Sequence, residues 1–367
     1  MPPQLCVALC LSLLVSLLPL SVQAACVPLE QPPNTSTPTA GKTADLLFRH
    51  LPDSCTNAER ETQAVPAAEI LAALKSGKGI DLSGVVVTGD LLLDELPTVP
   101  VDRLSGVSES VTHAIKDLGG NETRVIRGPF SIQRSRVSGR IASRLAQGSL
   151  VVLGPHRLVD TEFGDLQDWS RTVFAAGFDW SGARFHREAL AVRAQVVGEA
   201  VARKTHFGPH TRFHQSRFFG PVTFDGAQFN GLAEFLEVAF DQPVSFAKTV
   251  FAQGTGFSGS RFGSTVTFSG AHFLHEVFFP FAQFTGAARF DEARFDGPAE
   301  FGKAHFAALA AFDQAWFQVL PQWTTVTFQG ERRLPTAAGD GPDLLQYVIL
   351  LGTLGLALAL FWLVLRR

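Results

Sequence analysis

Aromatic residues recur along the second half of this chain at a spacing that few folds can satisfy. Stepping alternately six and five residues from Phe163 to Phe328, almost every position is Phe or Trp. The three positions that break this rule are Ala191, Val196 and Ala202. Two residues before each position stands a small or β-branched residue, apart from Gln167, Phe178 and Pro321. A self-similar pattern of this length indicates a solenoid of stacked repeats.

The repeat is predicted to be built from strands. A period of eleven residues also occurs in supercoiled helices, but Gly, Pro, Thr and Val crowd this repeat and disfavour helix interiors. Short extended segments joined by corners remain, each with one large and one small inward residue. If four such sides close a turn, one coil takes about 22 residues, and the segment from Phe163 to Phe328 forms a rod of roughly 36 Å.

Several tripeptides within the repeat resemble those of pentapeptide-repeat proteins in a Phe-centred variety. They are Ala271-His272-Phe273, Ala288-Arg289-Phe290, Ala293-Arg294-Phe295 and Ala299-Glu300-Phe301. The resemblance implies an all-β fold, a right-handed quadrilateral parallel β-helix with the aromatic rings stacked inside. Residues 80–87 and 130–137 resemble looser coils of the same family, so we expect the β-helix over 80–328, with the most regular repeats over 163–328. The chain departs from the family in having Phe where Leu is usual and alternating five- and six-residue spacing.

The two ends of the β-helix call for other structures. Residues 25–79 are expected to form an N-terminal cap, with a short helix from Pro66 to Lys75. After removal of a leader, Cys26 and Cys55 would be the remaining cysteines, and in an oxidising compartment we expect them to form a disulfide. Residues 94–124 lose the repeat and are predicted to protrude as an insertion, which includes the sequon Asn121-Glu122-Thr123. Residues 329–343 are predicted to be a linker.

Both termini carry apolar segments that predict a location. Residues 1–24 have the pattern of a secretory signal peptide. Residues 344–367 contain an uncharged apolar run closed by Arg366-Arg367, and they predict one transmembrane helix with its basic tail in the cytoplasm. We therefore expect a single-pass protein of the cell membrane with its body on the periplasmic or extracellular side. Lipidation at Cys26 and processing of the C-terminal tail are the alternatives.

The sequence contains few patterns that are typical of catalytic or binding sites. The formal net charge of −3 argues against a nucleic-acid partner. Residues 254–259 spell a dinucleotide-binding fingerprint, but Thr255 and Phe257 are ordinary repeat positions outside any βαβ unit. His206, His210 and His214 fall on different sides of a coil and are not expected to bind a metal. We assign no catalytic, cofactor-binding or metal-binding residues, and the sequence does not indicate whether the protein binds a small molecule.

Two functions are consistent with this pattern. The first is a non-enzymatic interaction or scaffolding surface for a protein or an envelope polymer. The alternative is a β-helix hydrolase or lyase that uses Asp291 and Asp313, which lie one coil apart. A surface ion network that includes Arg289 and Arg294 is the structural interpretation of the same pair.

One outward column is the candidate interaction stripe. Residues directly before the inward aromatic are expected to point outward, and those that recur once per coil are expected to align along the rod. This column combines basic, histidine and aromatic groups, and Trp316 resembles the aromatic anchors of interfaces. We expect protonation of His206 and His272 near pH 6 to tighten binding of an extended anionic partner. The stripe consists of Arg184, His206, Gln228, Val250, His272, Arg294 and Trp316.

Overall fold

The computed structural model describes residues 26–30, 46–143 and 148–335, and nearly all of them form one long solenoid of short parallel strands. The chain visits four sheets in rotation, here called sides 1 to 4 in the order of the chain, and makes about twelve turns. Three helices interrupt the strands of the first turns, namely α1 (Asn57–Thr62), α2 (Ala67–Lys75) and α3 (Glu109–Asp117). Two short 3-10 helices span Leu93–Glu95 and Val101–Arg103. The predicted β-solenoid is confirmed.

Each side is a ladder of strands from successive coils. Side 1 comprises Leu46–His50, Gly79–Ser83, Phe130–Gln133, His156–Arg157, Phe178–Asp179, Ala200–Val201, Val222–Thr223, Val244–Ser245, Val266–Thr267, Ala288–Arg289, Ala310–Ala311 and Arg332–Arg333. Side 2 comprises Val65–Pro66, Val86–Thr88, Arg136–Val137, Glu162–Phe163, Arg184–Phe185, His206–Phe207, Gln228–Phe229, Val250–Phe251, His272–Phe273, Arg294–Phe295 and Trp316–Phe317.

The other two sides are built in the same way. Side 3 comprises Leu91–Leu92, Ile141–Ala142, Gln167–Asp168, Ala189–Leu190, His210–Arg212, Leu232–Glu234, Thr255–Gly256, Val277–Phe278 and Ala299–Glu300. Side 4 comprises Thr98–Pro100, Glu122–Ile126, Ser149–Val152, Thr172–Phe174, Gln195–Val196, Arg217–Phe218, Ala239–Phe240, Arg261–Phe262, Gln283–Phe284, His305–Phe306 and Thr327–Phe328. The pairs are parallel except that Thr98–Pro100 runs antiparallel to Glu122–Ile126.

The register between coils is constant throughout the regular part and equals the predicted length of one coil. Phe251 pairs with Phe273 and Phe273 with Phe295, so equivalent residues lie directly over one another. Backbone hydrogen bonds join the coils, for example from the Phe257 amide to the Phe278 carbonyl at 2.7 Å. Because the strands are so short, stability depends on satisfying these backbone groups at every step of the ladder.

The alternation of five and six residues corresponds to two kinds of corner. The corners from side 1 to side 2 and from side 3 to side 4 are the short ones. Each has a residue with positive φ two positions after the inward aromatic, as Gly270 (φ 65°) and Phe281 (φ 59°) show. A hydrogen bond from the Ala271 amide to the Phe268 carbonyl, 2.9 Å long, closes the first of these turns, which is typical of a type II turn.

The longer corners instead bring successive coils into close contact. At the corner from side 4 to side 1, a Cβ atom on Gly286 would lie 2.3 Å from the carbonyl carbon of Ser264 in the preceding coil. Only glycine allows the two backbones to approach that closely.

The core is a set of stacked aromatic rings. From Phe163 to Phe317 the repeat aromatics are at most 3% exposed. On side 2, rings of successive coils are nearly parallel with centroids 4.3–5.4 Å apart. Burial of each ring contributes on the order of 2–3 kcal/mol.

The breaks in the aromatic pattern follow from volume. Ala202 lies in the column directly after Trp180, and Ala191 directly after Trp169. Trp180 reaches across to Phe213, with 6.4 Å between ring centroids. A larger ring beside a smaller side chain conserves the packed volume, which cores tolerate well.

The first coils differ from the regular ones, and the segment 94–124 does not protrude as expected. Its helix α3 lies against the outer surface of side 4, where Val111 and Ile115 pack with Val151 and Val173. Its apolar positions follow a helical period, and burying that face outweighs the polar composition on which the expectation rested. The Arg171 guanidinium donates to the Leu118 carbonyl at 2.6 Å, satisfying one carbonyl at the helix end.

The N-terminal cap contains the predicted helix, but the solenoid starts earlier than residue 80. Helix α2 begins directly after Pro66 and buries Ile70 and Leu74 against the core. The strands Leu46–His50 and Val65–Pro66 pair with the first full coil, so part of the cap extends sides 1 and 2. Cys26 and Cys55 form a disulfide with their Cα atoms 4.9 Å apart.

At the other end, the strand Arg332–Arg333 pairs with Ala310–Ala311, so the first residues of the predicted linker 329–343 belong to side 1. The predicted signal peptide (1–24) and the predicted transmembrane helix (344–367) lie outside the described residues. Among the residues described, no helix is both long and apolar enough to cross a membrane.

Candidate docking surface

The structure places the seven residues of the stripe in one column on the outside of side 2. Each is paired with the next in the ladder, from Arg184 with His206 to Arg294 with Trp316. Each stands directly before a buried ring, so the core fixes where it points. Arg184 and Gln228 are exposed, and the others are half-buried.

The end of the stripe nearest the C-terminus is held together by one carboxylate. The two Asp296 oxygens lie 2.7 Å from His272 Nε2 and 2.6 Å from Arg294 Nε. Partial burial acts to raise the pKa of Asp296, but its hydrogen bonds and charge interactions with His272 and Arg294 outweigh this, and the pKa lies below its usual value. The carboxylate therefore stays ionised. Its negative charge offsets the positive charge that the residues of the stripe would carry by themselves.

Arg294 also stacks on Trp316, with its guanidinium carbon 4.5 Å from the ring centroid. A guanidinium fixed by both a carboxylate and an aromatic face has little rotamer freedom left. This end of the stripe is thus a preorganised planar surface of mixed polar and aromatic character.

The pH expectation for His206 needs correction. Partial burial, together with the charge of Arg184, lowers the pKa of His206 from its usual value. Its protonation therefore needs a more acidic solution than the sequence alone predicts, and the half of the stripe around Arg184 depends on the arginine for its charge. Sequence reasoning missed this because it treated each outward histidine as isolated.

Asp291 and Asp313 lie one coil apart, as the alternative function requires, but each has its own partners. Asp291 accepts a hydrogen bond from Ser269 Oγ (3.4 Å) and lies 4.0 Å from Arg289. Asp313 forms an ion pair with Arg333 at 3.2 Å. Arg294, which we expected in this network, pairs with Asp296 instead. These contacts describe surface ion pairs and do not show a poised acid and base.

The remaining motifs are placed by the repeat. In the fingerprint-like segment, Thr255–Gly256 is a side 3 strand and Phe257 is fully buried. His206 lies on side 2, whereas His210 lies on side 3 and contacts Glu234 at 2.8 Å. No group of three or more His, Cys, Asp or Glu residues that could hold a metal ion occurs in 26–30, 46–143 and 148–335.

Two residues of interest were not predicted. Asp296 could have been found, because the residue after each inward aromatic also points outward and Asp296 follows Phe295. His156 was less accessible to sequence reasoning: it occupies an inward position of side 1 and is 1% exposed. Its Nδ1 accepts a hydrogen bond from Trp180 Nε1 at 3.1 Å, and burial lowers its pKa to about 3.

The fold and its outward columns define a β-solenoid with long, regular outer faces. In the comparison with family models, the model described as pentapeptide repeats (9 copies) matches residues 235–283. With the solenoid, this match supports a pentapeptide-repeat β-helix protein. No curated protein and no solved structure matches the chain.

Proposed function

We propose that this protein is a non-enzymatic scaffold held at the outer face of the cell membrane, where the stripe on side 2 binds an extended protein or envelope polymer. A pentapeptide-repeat solenoid fits a structural or interaction role. The observation that carries the proposal is the Arg294–Trp316 stack, because it orders two large side chains on the surface without contributing to the core. Arg and Trp are the residues that most often dominate binding energy at interfaces.

The location forms part of this proposal and rests on the sequence of the two ends. A right-handed quadrilateral coil, which the family resemblance implies, is also part of it, and parallel crossovers have that hand in nearly all known cases. The test of location uses spheroplasts, which lack the outer membrane and the cell wall, from cells that produce the full chain with a tag at the C-terminus. Protease added outside should remove the solenoid and leave the tag protected; a protected solenoid would refute the topology.

The stripe is tested with a photo-crosslinking residue introduced at Gln228, in the middle of the column. Gln283 on side 4 is a matched control, because it is also an exposed glutamine directly before a buried Phe. Crosslinking in whole envelopes should give a specific adduct at 228 and none at 283. Identical adducts at both positions would mean that side 2 is an ordinary solvated face.

The triple variant Arg184→Ala/Arg294→Ala/Trp316→Ala should lose the adduct formed at 228. The control variant Arg261→Ala/Gln283→Ala/His305→Ala carries its changes in the equivalent column of side 4 and should keep it. A hydrolase or lyase would instead release soluble fragments from envelope polymer. In that case Asp291→Asn and Asp313→Asn would abolish release.

A further inference from the structure

A second surface, on side 3, has a different chemistry from the stripe. Large apolar side chains point outward in two coils that flank a third: Leu232 on side 3 is 49% exposed, and Phe281, at the corner that follows side 3, is 58% exposed. Leu236 and Phe278 are half-buried between them. The register Ala233–Thr255–Val277 places these residues in three consecutive coils, so they form one patch. A contiguous apolar patch on a solvent-exposed surface marks an interaction site more often than single exposed apolar residues do.

The middle coil of this patch has almost no side chains. Gly254 and Gly256, the first two glycines of the fingerprint-like motif, take the outward positions between the two apolar rows. A Cβ on Gly256 would lie 2.7 Å from Leu236 Cδ2, and one on Gly254 would lie 3.5 Å from Leu232 Cδ2. The two leucines thus lean over the glycines. In βαβ folds this glycine motif indicates nucleotide binding. In this solenoid its glycines leave space for the side chains of the neighbouring leucines.

Acidic residues border the patch. Glu237, Glu276 and Glu300 are exposed, and Phe278 pairs with Glu300 in the ladder. Glu276 Oε1 lies beside Gly254, 2.8 Å from the position of a Cβ there. Lys303 is also near, with its Nζ 5.0 Å from the Phe281 ring centroid. Glu234, in the same strand as Leu232, forms an ion pair with Arg212 of the preceding coil. The described surroundings of the patch therefore carry four carboxylates against the two cations Arg212 and Lys303.

Apolar side chains are exposed again towards the C-terminal end of the solenoid, beyond a coil that presents Pro298, Glu300 and Lys303. Val319 (57% exposed) and Leu320 (37% exposed) line a cleft with Glu300 and Pro298. From Leu232 to Leu320 the surface spans four coil steps, or about 19 Å. An α-helix of about 13 residues has that length.

We propose that side 3 binds a cationic amphipathic helix of a partner protein, about 13–14 residues long, with its apolar face on Leu232, Leu236, Phe278, Phe281, Val319 and Leu320. Its basic residues lie against Glu237, Glu276 and Glu300. Charge complementarity selects this partner over an anionic membrane surface, which the three glutamates repel. The proposal is independent of the stripe, because the two surfaces lie on different sides.

The test uses the full chain, immobilised in a non-ionic detergent, and a synthetic Leu/Lys amphipathic peptide of about 14 residues as the probe. Detergent without protein provides the blank. Wild type should bind the peptide, and Leu232→Ser/Phe281→Ser should weaken binding at least about tenfold. Glu276→Gln/Glu300→Gln should weaken it about three- to tenfold at low salt, with the difference disappearing in about 1 M salt.

Two controls separate this result from nonspecific adhesion and from unfolding. Val201→Ser, at a half-buried valine on side 1, should bind like the wild type, and all variants should keep the wild-type circular dichroism spectrum. A Leu/Glu peptide of the same length should not bind. Equal binding of the Leu/Lys peptide to wild type and Leu232→Ser/Phe281→Ser, or equal binding of both peptides, would overturn the proposal.

Discussion

The first coils of the solenoid and the coils after Phe163 solve the same packing problem in different ways. In the regular part, the register between coils is constant and the inward position is nearly always a ring. In the first part, Ile80 pairs with Phe130 and Phe130 with His156, so the coils are longer and their length varies. Helices fill space beside or at the end of these longer coils.

The difference shows what fixes the length of a coil. A ring stacked on a ring leaves no room for an extra residue at a corner, because every side chain must meet its neighbour above and below. Where the core holds Leu, Ile and Val, the same constraint is weaker. The first coils can therefore accept an insertion and bury polar groups such as Thr123 and His156.

The largest effect should follow removal of one ring from the regular stack. Phe257 is fully buried, with the rings of Phe235 and Phe279 at 4.9 Å and 5.0 Å. Phe257→Ala should lower the free energy of unfolding by about 3–5 kcal/mol, because the cavity cannot collapse between fixed coils. His272→Ala, on the surface, should cost under about 1 kcal/mol. Chemical denaturation measures both, and equal losses would contradict the inward register.

The disulfide should matter only to the first coils. Replacing both cysteines, as Cys26→Ser/Cys55→Ser, should destabilise the N-terminal end by roughly 3 kcal/mol through loop-closure entropy. Hydrogen exchange should rise in the strand Leu46–His50 and stay unchanged in Val266–Thr267. Reducing the wild type should have the same effect, whereas two free thiols in protein taken from its native envelope would contradict the pairing.

The stability of the first coils should also depend on pH through the buried His156, a residue type that the core of the regular coils lacks. The pKa of His156 is about 3 in the folded chain and about 6.5 when exposed, so the unfolded state takes up the proton first. Its contribution to stability is complete above about pH 6.5 and is lost as the pH falls towards 3. Between pH 6.5 and 4.5 the loss should be about 2–3 kcal/mol.

His156→Phe should remove that part of the pH dependence, whatever its effect on stability at neutral pH. His275→Ala, at an exposed histidine, serves as the control and should leave the pH dependence as in the wild type. Parallel denaturation series at several pH values give the slopes. A slope in His156→Phe equal to that of the wild type would show that other groups cause the acid sensitivity.

The smallest effects are expected at the short corners. Lys248 and Gly270 occupy the same corner in successive coils, with φ of 56° and 65°. Lys248→Gly should stabilise by up to about 1 kcal/mol, because glycine adopts this conformation without steric cost. Gly270→Ala should destabilise by a similar amount. Opposite signs would mean that the corner conformation differs from the one described.

The sequence predicts the regular half of the molecule well because one period determines the inward residues, the register and the outward columns together. It also predicts α2, because Pro66 marks the start of the helix and the spacing of Ile70 and Leu74 gives it one apolar face. It fails where long-range packing decides. The strand Leu46–His50 is too short to show a repeat, and α3 lacks the composition of a buried helix until side 4 provides its partner surface.

For the candidate docking surface, too, the sequence predicts what the period determines and misses what depends on contacts between side chains. The column from Arg184 to Trp316 could be predicted because it follows from the period. The contacts of Asp296 with Arg294 in its own coil and with His272 in the preceding coil could not, because they depend on side-chain rotamers and not on spacing. The apolar patch on side 3 was also not predicted, because its side chains come from coils on either side of the fingerprint-like segment 254–259 and share no position of the repeat.

The two kinds of corner have a consequence for how such a chain can change in evolution. Sides 1 and 3 are both followed by a short corner, and sides 2 and 4 by a long one. Loss or gain of half a coil therefore leaves every later ring inside, but it rotates all later columns by half a turn. Removing the segment from Phe257 up to, but not including, Phe268 would move the Arg294–Trp316 stack from side 2 to side 4. Duplication of one whole coil would instead lengthen the rod and keep every outward column on its side. The arrangement of the outer surface can therefore change while the packing of the core stays the same.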